Sequence, residues 1–262
     1  MKIGFLGFGE MGSAIAEGLA AHSAAVRDGR VTLSAYAPHA DRLRARTQGL
    51  PVAVCTDART LASEADMIVL ACKPHQVEAA LSDLDGALRG RALISIVNGW
   101  GFADFKRLLG DGVRVQCIMP NTPVKVGKGT ILLAEENDLA AEERETLLAL
   151  LRSAAEVIEL PEARIAAACA ISGCGPAFLY MVIEALGDAG VRHGLSRRDA
   201  YALAAGTMIG AGEMVRRSGE HPGALKDAVC SPGGTTIRGV AALENAGMRA
   251  AFLRAVDAVL GA

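Results

Sequence analysis

Ser231-Pro232-Gly233-Gly234-Thr235-Thr236 sets three hydroxyls around two glycines within six positions. Pro232 breaks the preceding segment, and the glycines let the backbone bend where a Cβ would clash. An apolar-periodic run follows (Ile237, Val240, Ala241, Leu243), so the threonines stand at a predicted helix start. A helix N-terminus offers unpaired N–H groups and the positive end of its dipole, which suits a small anion such as a carboxylate. Ser231, Gly233, Gly234 and Thr235 are the candidate anion ligands, with the Thr236 hydroxyl beside them. A plain loop capped by threonine has the same local sequence. The rest of the chain decides between the two.

Gly7-Phe8-Gly9-Glu10-Met11-Gly12 is the second cluster with chemistry in it. It follows a strand pattern (Lys2 to Leu6) and precedes a helical one through Ile15, Ala16, Leu19 and Ala20. In that context G-x-G-x-x-G predicts dinucleotide binding. Gly7 makes the tight turn, Gly9 admits a pyrophosphate close to the backbone, and Gly12 lets helix and strand pack closely. Further strand patterns run over Val31 to Tyr36, Met67 to Ala71, Leu93 to Val97, Arg114 to Ile118, Thr130 to Leu133 and Val157 to Glu159. Helical segments separate most of them, which predicts an α/β, doubly wound, Rossmann-like parallel sheet. Such sheets bind ligands at the carboxyl ends of their strands. Those ends carry Ala71-Cys72-Lys73-Pro74, Asn98-Gly99 and Asn121, all candidate cofactor contacts.

The second strand bears on the coenzyme. An NAD site wants an acid about 20 residues after the glycines, for the ribose diol. Val31 to Ala40 holds no carboxylate; it holds Ser34, Tyr36 and His39, followed by Arg42, Arg44 and Arg46. Ser34 and Tyr36 are therefore candidate contacts, with NADP(H) preferred and NAD(H) usable. From Pro161 onward strand patterns stop and alanine-rich helices take over: Glu162 to Ile171, Ala177 to Ala189 and Arg197 to Val215. Ser196 with Asp199 reads as a capping box in which Asp replaces the usual Glu. The predicted division is a dinucleotide-binding domain over 1–160 and a helical substrate and dimerisation domain over 161–262. Helices rich in small residues (Gly187, Gly206, Gly210, Gly212) have little core of their own, so a homo-oligomer, at least a dimer, is expected.

Composition narrows the partners. A net charge of −2 and 4% aromatic residues give no basic field or stacking platform for nucleic acid. No apolar stretch is read as approaching the ~20 residues of a membrane span. The six cysteines show no C-x-x-C spacing, so no zinc site is expected and free thiols in the cytoplasm are. None of the five histidines has a position that suggests catalysis.

Taken together, the chain resembles the pyrroline-5-carboxylate reductase family over essentially its whole length. The motifs are Gly7 to Gly12, Val69 to Pro74, Met119-Pro120-Asn121-Thr122-Pro123, Ser172-Gly173-Cys174-Gly175-Pro176-Ala177, and His221-Pro222-Gly223 running into Ser231 to Thr236. It departs from the family at Cys174, commonly Ser, at Asn98, commonly Ala, and at Ala58, where an Asn often follows the acid at Asp57. The resemblance implies reduction of 1-pyrroline-5-carboxylate to L-proline by NAD(P)H, without a metal. It also implies that the Thr236 hydroxyl meets the ring nitrogen and that Glu162 lies near the substrate. Two other readings stay open: a 3-hydroxyacid dehydrogenase or broader imine reductase of the same plan, and a non-catalytic NADP-sensing protein. The former would want a lysine in the helical half, where Lys226 is the only one. The latter would lack the donors of Ser231 to Thr236.

Overall fold

Lys2–Leu6 (β1) is buried at every position after the first, as a strand covered on both faces must be. In this computed structural model, which describes all residues except Asp83, Asp85 and Ala262, β1 lies inside an eight-stranded sheet. The other strands are β2 (Thr32–Tyr36), β3 (Val52–Val54), β4 (Met67–Leu70), β5 (Ala92–Ser95), β6 (Arg114–Pro120), β7 (Gly129–Asn137) and β8 (Ala155–Leu160). Their spatial order is β3-β2-β1-β4-β5-β6-β7-β8. β6 and β7 are antiparallel; the other neighbours are parallel. The doubly wound sheet is thus as expected, with β3 added. With one buried residue in three, β3 carries no readable period.

Helices cover both faces of that sheet. They are α1 (Glu10–His22), α2 (Ala24–Arg27), α3 (Ala40–Thr47), α4 (Ala58–Glu64), α5 (Val77–Ser82), α6 (Phe102–Leu109), α7 (Ala141–Ala154) and α8 (Glu162–Ser172). One face packs Ile15 and Leu19 of α1 and Leu147, Leu150 and Leu151 of α7 over Phe5, Ile94 and Ile118. The other packs Leu61, Val77, Leu81 and Phe105 over Leu6, Ile68, Leu70 and Leu93. Burying a side chain of this size contributes about 1.5–3 kcal/mol, so this double-sided core fixes where the strand ends lie.

Chain contacts divide the protein into Met1–Cys174 and Gly175–Ala262. The change of texture at Pro161 precedes that division because α8, although alanine-rich, packs on β6 and β7. The second unit comprises α9 (Gly175–Arg192), α10 (Arg197–Ser218), α11 (Pro222–Ala228), α12 (Thr235–Asn245) and α13 (Met248–Leu260). Ser196 caps α10, its Oγ accepting from the Asp199 N–H at 3.1 Å. Small residues let α9 and α10 approach: a Cβ on Gly187 would overlap the Tyr201 ring, and one on Gly190 would lie 2.8 Å from the Ala200 Cβ. Gly206, Gly210 and Gly212 instead face open space, among exposed Leu203, Ile209 and Met214.

One expectation is corrected. Glu162–Arg192, which is α8 with α9, is long and apolar enough by length and composition to cross a membrane. Splitting the stretch at its glycines hid its length in the sequence, and its apolar residues remain mostly uncovered within one chain.

Gly18 shows how tightly α1 is seated. A Cβ there would overlap the Val124 carbonyl oxygen and lie 3.0 Å from its carbon. Gly18→Ala gains up to ~1 kcal/mol of helix propensity, but forcing backbone apart in a packed core costs about 1–3 kcal/mol. The variant is therefore expected to unfold at lower urea concentration with an unchanged denaturant slope. An equal or higher midpoint would show that α1 is not held by this contact.

Candidate active site

The carboxyl ends of β2, β1, β4 and β5 form a continuous edge, tied strand to strand just past each terminus. Gly7 N–H donates to the Tyr36 carbonyl at 2.8 Å, Ala71 N–H to the Leu6 carbonyl at 2.8 Å, and Ile96 N–H to the Leu70 carbonyl at 3.2 Å. The chain leaves β1 toward β2 on one side and meets β4 on the other, so the crevice for a ligand lies at this switch point.

Each glycine of the loop has a distinct physical reason. Gly7 has φ +92°, and a Cβ on it would sit 2.7 Å from the Ala71 carbonyl oxygen. Gly12 passes so close that a Cβ would be 3.2 Å from the Gly7 carbonyl oxygen and 3.3 Å from the Ala71 Cβ. Gly9 is different: a Cβ there would meet nothing within 4 Å. It is the N-cap of α1 and supplies no side-chain cap, which leaves the leading N–H groups for an anion. The open cradle at Gly9 therefore fits a pyrophosphate. Phe8 contributes backbone alone, since its ring is buried edge-on against Phe5 at 5.7 Å.

The other predicted contacts divide. Tyr36, Ala71 and Cys72 join the loop at the edge, and Lys73, Asn98 and Gly99 are exposed there on the ends of β4 and β5. Burial raises the Cys72 thiol above its usual range, so it stays protonated and is no nucleophile. Ser34 is not at the edge: it pairs with Gly4 within the strand and its Oγ lies 3.5 Å from the Ile3 carbonyl. Asn121 is buried, and its side chain serves the fold. Its Oδ1 accepts from Thr130 N–H at 2.8 Å while its Nδ2 donates to the Ser172 carbonyl at 2.9 Å. Arg46 turns onto α1, bonding the Glu10 carboxylate and the Ser13 hydroxyl, and it holds the Glu10 carboxyl below its ordinary pKa. Arg44 pairs with Asp41. Sequence reasoning missed the Arg46–Glu10 pair because its members lie 36 positions apart.

Glu162 sits in the first turn of α8, as read, but its Oε2 accepts from the Phe102 N–H of α6 at 2.7 Å. The signal available was Gly101, a helix start with no capping side chain of its own.

In the second unit α12 begins at Thr235 with Gly234 as N-cap and no side-chain cap. Gly233 has φ +69°, the left-handed region that favours glycine. Gly234 donates to the Ser231 carbonyl at 3.0 Å, and a Cβ on Gly234 would overlap the Ser231 Oγ. The turn thus brings the Ser231 hydroxyl over the helix start, with Thr235 and Thr236 exposed in the first turn. Nearby in sequence, Lys226 pairs with Asp227 at 2.7 Å, which raises its pKa. A lysine held in its charged form is a poor general base.

Comparison with known proteins gives a consistent picture. The model for pyrroline-5-carboxylate reductase dimerisation matches residues 162–261. A model described as NADP oxidoreductase, coenzyme F420-dependent, matches residues 2–99. The chain is 42% identical to pyrroline-5-carboxylate reductase from Treponema pallidum, covering 99% of both sequences. It is 38% identical to the same enzyme from Escherichia coli, over 97% of this chain and 94% of that one. A crystal structure of Plasmodium falciparum pyrroline carboxylate reductase with NADP bound superposes with a TM-score of 0.87 at 32% identity, covering 99% of this chain and 95% of that one.

The glycine geometry separates binding from folding. Gly9→Ala should leave stability within about 0.5 kcal/mol, as for an uncrowded surface position, while raising the dissociation constant for a nicotinamide dinucleotide about 10-fold or more. Gly7→Ala should lose stability as well, because its positive φ costs about 1–3 kcal/mol for a side chain. Thermal melts with titration of the reduced dinucleotide check both. Unchanged affinity in Gly9→Ala would remove the cradle from the site.

Proposed function

This chain belongs to the pyrroline-5-carboxylate reductase family, and from that premise we propose how its residues share the reaction. The established activity is NADP-dependent reduction of 1-pyrroline-5-carboxylate in proline biosynthesis. Its substrate is a small ring bearing a carboxylate and an imine that becomes electrophilic when protonated. NADPH, when bound, supplies the hydride.

The dinucleotide is assigned to the crevice at the ends of β1 and β4. Backbone N–H groups of Gly7 to Gly12 hold its pyrophosphate, Tyr36 flanks the ribose, and Ala71 to Pro74 with Asn98 and Gly99 border the nicotinamide side. Preference for NADPH over NADH rests on the acid-free stretch Val31 to Ala40, since a carboxylate there would repel a 2′-phosphate. Asn121 serves this site by holding the turn after β6, and Ser34 by supporting β2 from within.

The substrate carboxylate is assigned to the start of α12. The uncapped N–H groups after Gly234, the helix dipole and the hydroxyls of Ser231 and Thr235 form the anion site, shaped by Gly233 and Gly234. Thr236, one residue into the helix, presents its hydroxyl to the ring nitrogen. A threonine hydroxyl is a weak acid, so its main contribution is a hydrogen bond that orients the imine. The single observation that carries this reading is an exposed helix start left without a side-chain cap.

The coenzyme functions are assigned to residues 1–160 and the substrate and subunit functions to 161–262. We further infer a dimer through the helical part. Its exposed Met181, Ile209 and Leu253 are each about two-thirds or more uncovered, at 68%, 72% and 68%, which is costly in water and suits a second copy. The membrane-sized stretch Glu162–Arg192 falls entirely within the dimerisation match over residues 162–261. Its apolar exposure is therefore read as subunit surface. Six unpaired cysteines suit the reducing cytoplasm.

Thr236 is the residue to test. Thr236→Ala should lower kcat/KM for the cyclic imine about 10-fold, near the upper range of one lost hydrogen bond, or 10²–10⁴-fold where the hydroxyl relays the proton. NADPH affinity should stay unchanged and Thr236→Ser should recover most activity. Full activity in Thr236→Ala would place the chemistry on another residue.

A further inference from the structure

The Glu162 carboxylate is inserted into the backbone of a helix 60 positions away. Its Oε2 accepts from the Phe102 N–H at 2.7 Å, while the neighbouring Gly101 N–H donates to Asp104 Oδ2 at 3.0 Å. Two leading donors of α6 are thus held by carboxylates, one local and one from the start of α8. Gly101 makes room for this: a Cβ there would lie 2.8 Å from the Glu162 Cδ and overlap a carboxylate oxygen. Glu162 is itself tethered, its N–H donating to Glu136 Oε2 on β7 at 2.8 Å. Beneath the loop, the Trp100 ring packs on Phe105 at 5.3 Å. The Asn98–Gly101 loop is therefore anchored at its far end, while Asn98 and Gly99 stay exposed, Gly99 with φ +79°.

We propose that Glu162 is a positioning residue: through the Phe102 N–H it sets the height of the Asn98–Gly101 loop against the nicotinamide side of the coenzyme. The proposal rests on the assignment of Asn98 and Gly99 to the coenzyme site. One oxygen of the carboxylate is bonded to the helix N-terminus, where the dipole favours its charge. What it governs is backbone placement, and small displacements of positioning groups weaken productive binding.

The test combines Glu162→Ala, Glu162→Gln and Gly101→Ala with steady-state kinetics and hydrogen exchange of the segment 96–103. Glu162→Ala should raise KM for NADPH about 10-fold, shift KM for the imine by less than about 3-fold, and speed exchange in that segment without coenzyme. Glu162→Gln keeps an oxygen for the Phe102 N–H and should return KM for NADPH to within about 3-fold of the parent. Gly101→Ala should reproduce Glu162→Ala, and adding it to Glu162→Ala should change little more, because both remove one contact.

Several results would overturn the proposal. Equal impairment of the Gln and Ala variants, with a limb lost from the pH profile of kcat, would give the carboxylate a direct role on substrate. A lower melting temperature with unchanged kinetics would make it purely structural. Unchanged exchange beside a raised KM would remove the anchor. Faster exchange with an unchanged KM for NADPH would leave the anchor standing and remove Asn98 and Gly99 from the coenzyme site.

Discussion

The backbone leaves β1 at Gly7 with φ +92°, against the Ala71 carbonyl at the end of β4. α1 then doubles back so that Gly12 packs on both of those residues. A Cβ at Gly7 would collide with the Ala71 backbone, and one at Gly12 would press on the Gly7 carbonyl and the Ala71 Cβ at 3.2 and 3.3 Å. This three-way approach aims the start of α1 across the edge where β2, β1, β4 and β5 end, and the hydrogen bonds past each strand hold that edge together. Shifting any one strand would move the loop relative to the others. The buried faces of the sheet, with Phe5 and Phe105 fully covered, make such shifts costly.

Helix starts carry much of the remaining chemistry, and their capping residues sort them. α4 is capped by Asp57 and α10 by Ser196, each accepting from the helix backbone, so those donors are spent internally. α1, α6 and α12 begin after Gly9, Gly101 and Gly234, which have no side chain to offer. At α6 the donors are taken by Asp104 and Glu162. At α1 and α12 no N-cap side chain accepts from them. α2, α3, α8 and α13 also start without a side-chain cap, but α1 and α12 start in glycine turns at the ends proposed for the dinucleotide pyrophosphate and the imino-acid carboxylate.

The sequence was most legible where backbone demands are local. The loop Gly7 to Gly12, the helix start after Gly234 and the Ser196 cap each follow from short-range sterics and hydrogen bonding, and all three lie where the spacing puts them. Long-range pairing was not legible. Nothing near Glu162 announces Phe102, and nothing in the arginines of α3 tells which one turns toward Glu10. Ser34 has the right residue type for a coenzyme contact, but its register with Gly4 sets it two residues short of the edge. β3 was missed because a short, half-exposed strand has no period. The apolar length of Glu162–Arg192 was divided at glycines that end one helix and begin the next.

The start of α12 is proposed to bind the substrate through its carboxylate. This binding is tested most directly by comparing 1-pyrroline-5-carboxylate with unsubstituted 1-pyrroline at saturating NADPH. Losing two charge-assisted hydrogen bonds, each about 1.5 kcal/mol or more, predicts that kcat/KM falls by about 10²-fold or more for the ring without a carboxylate. Comparable kcat/KM for the two imines would remove the carboxylate from the start of α12.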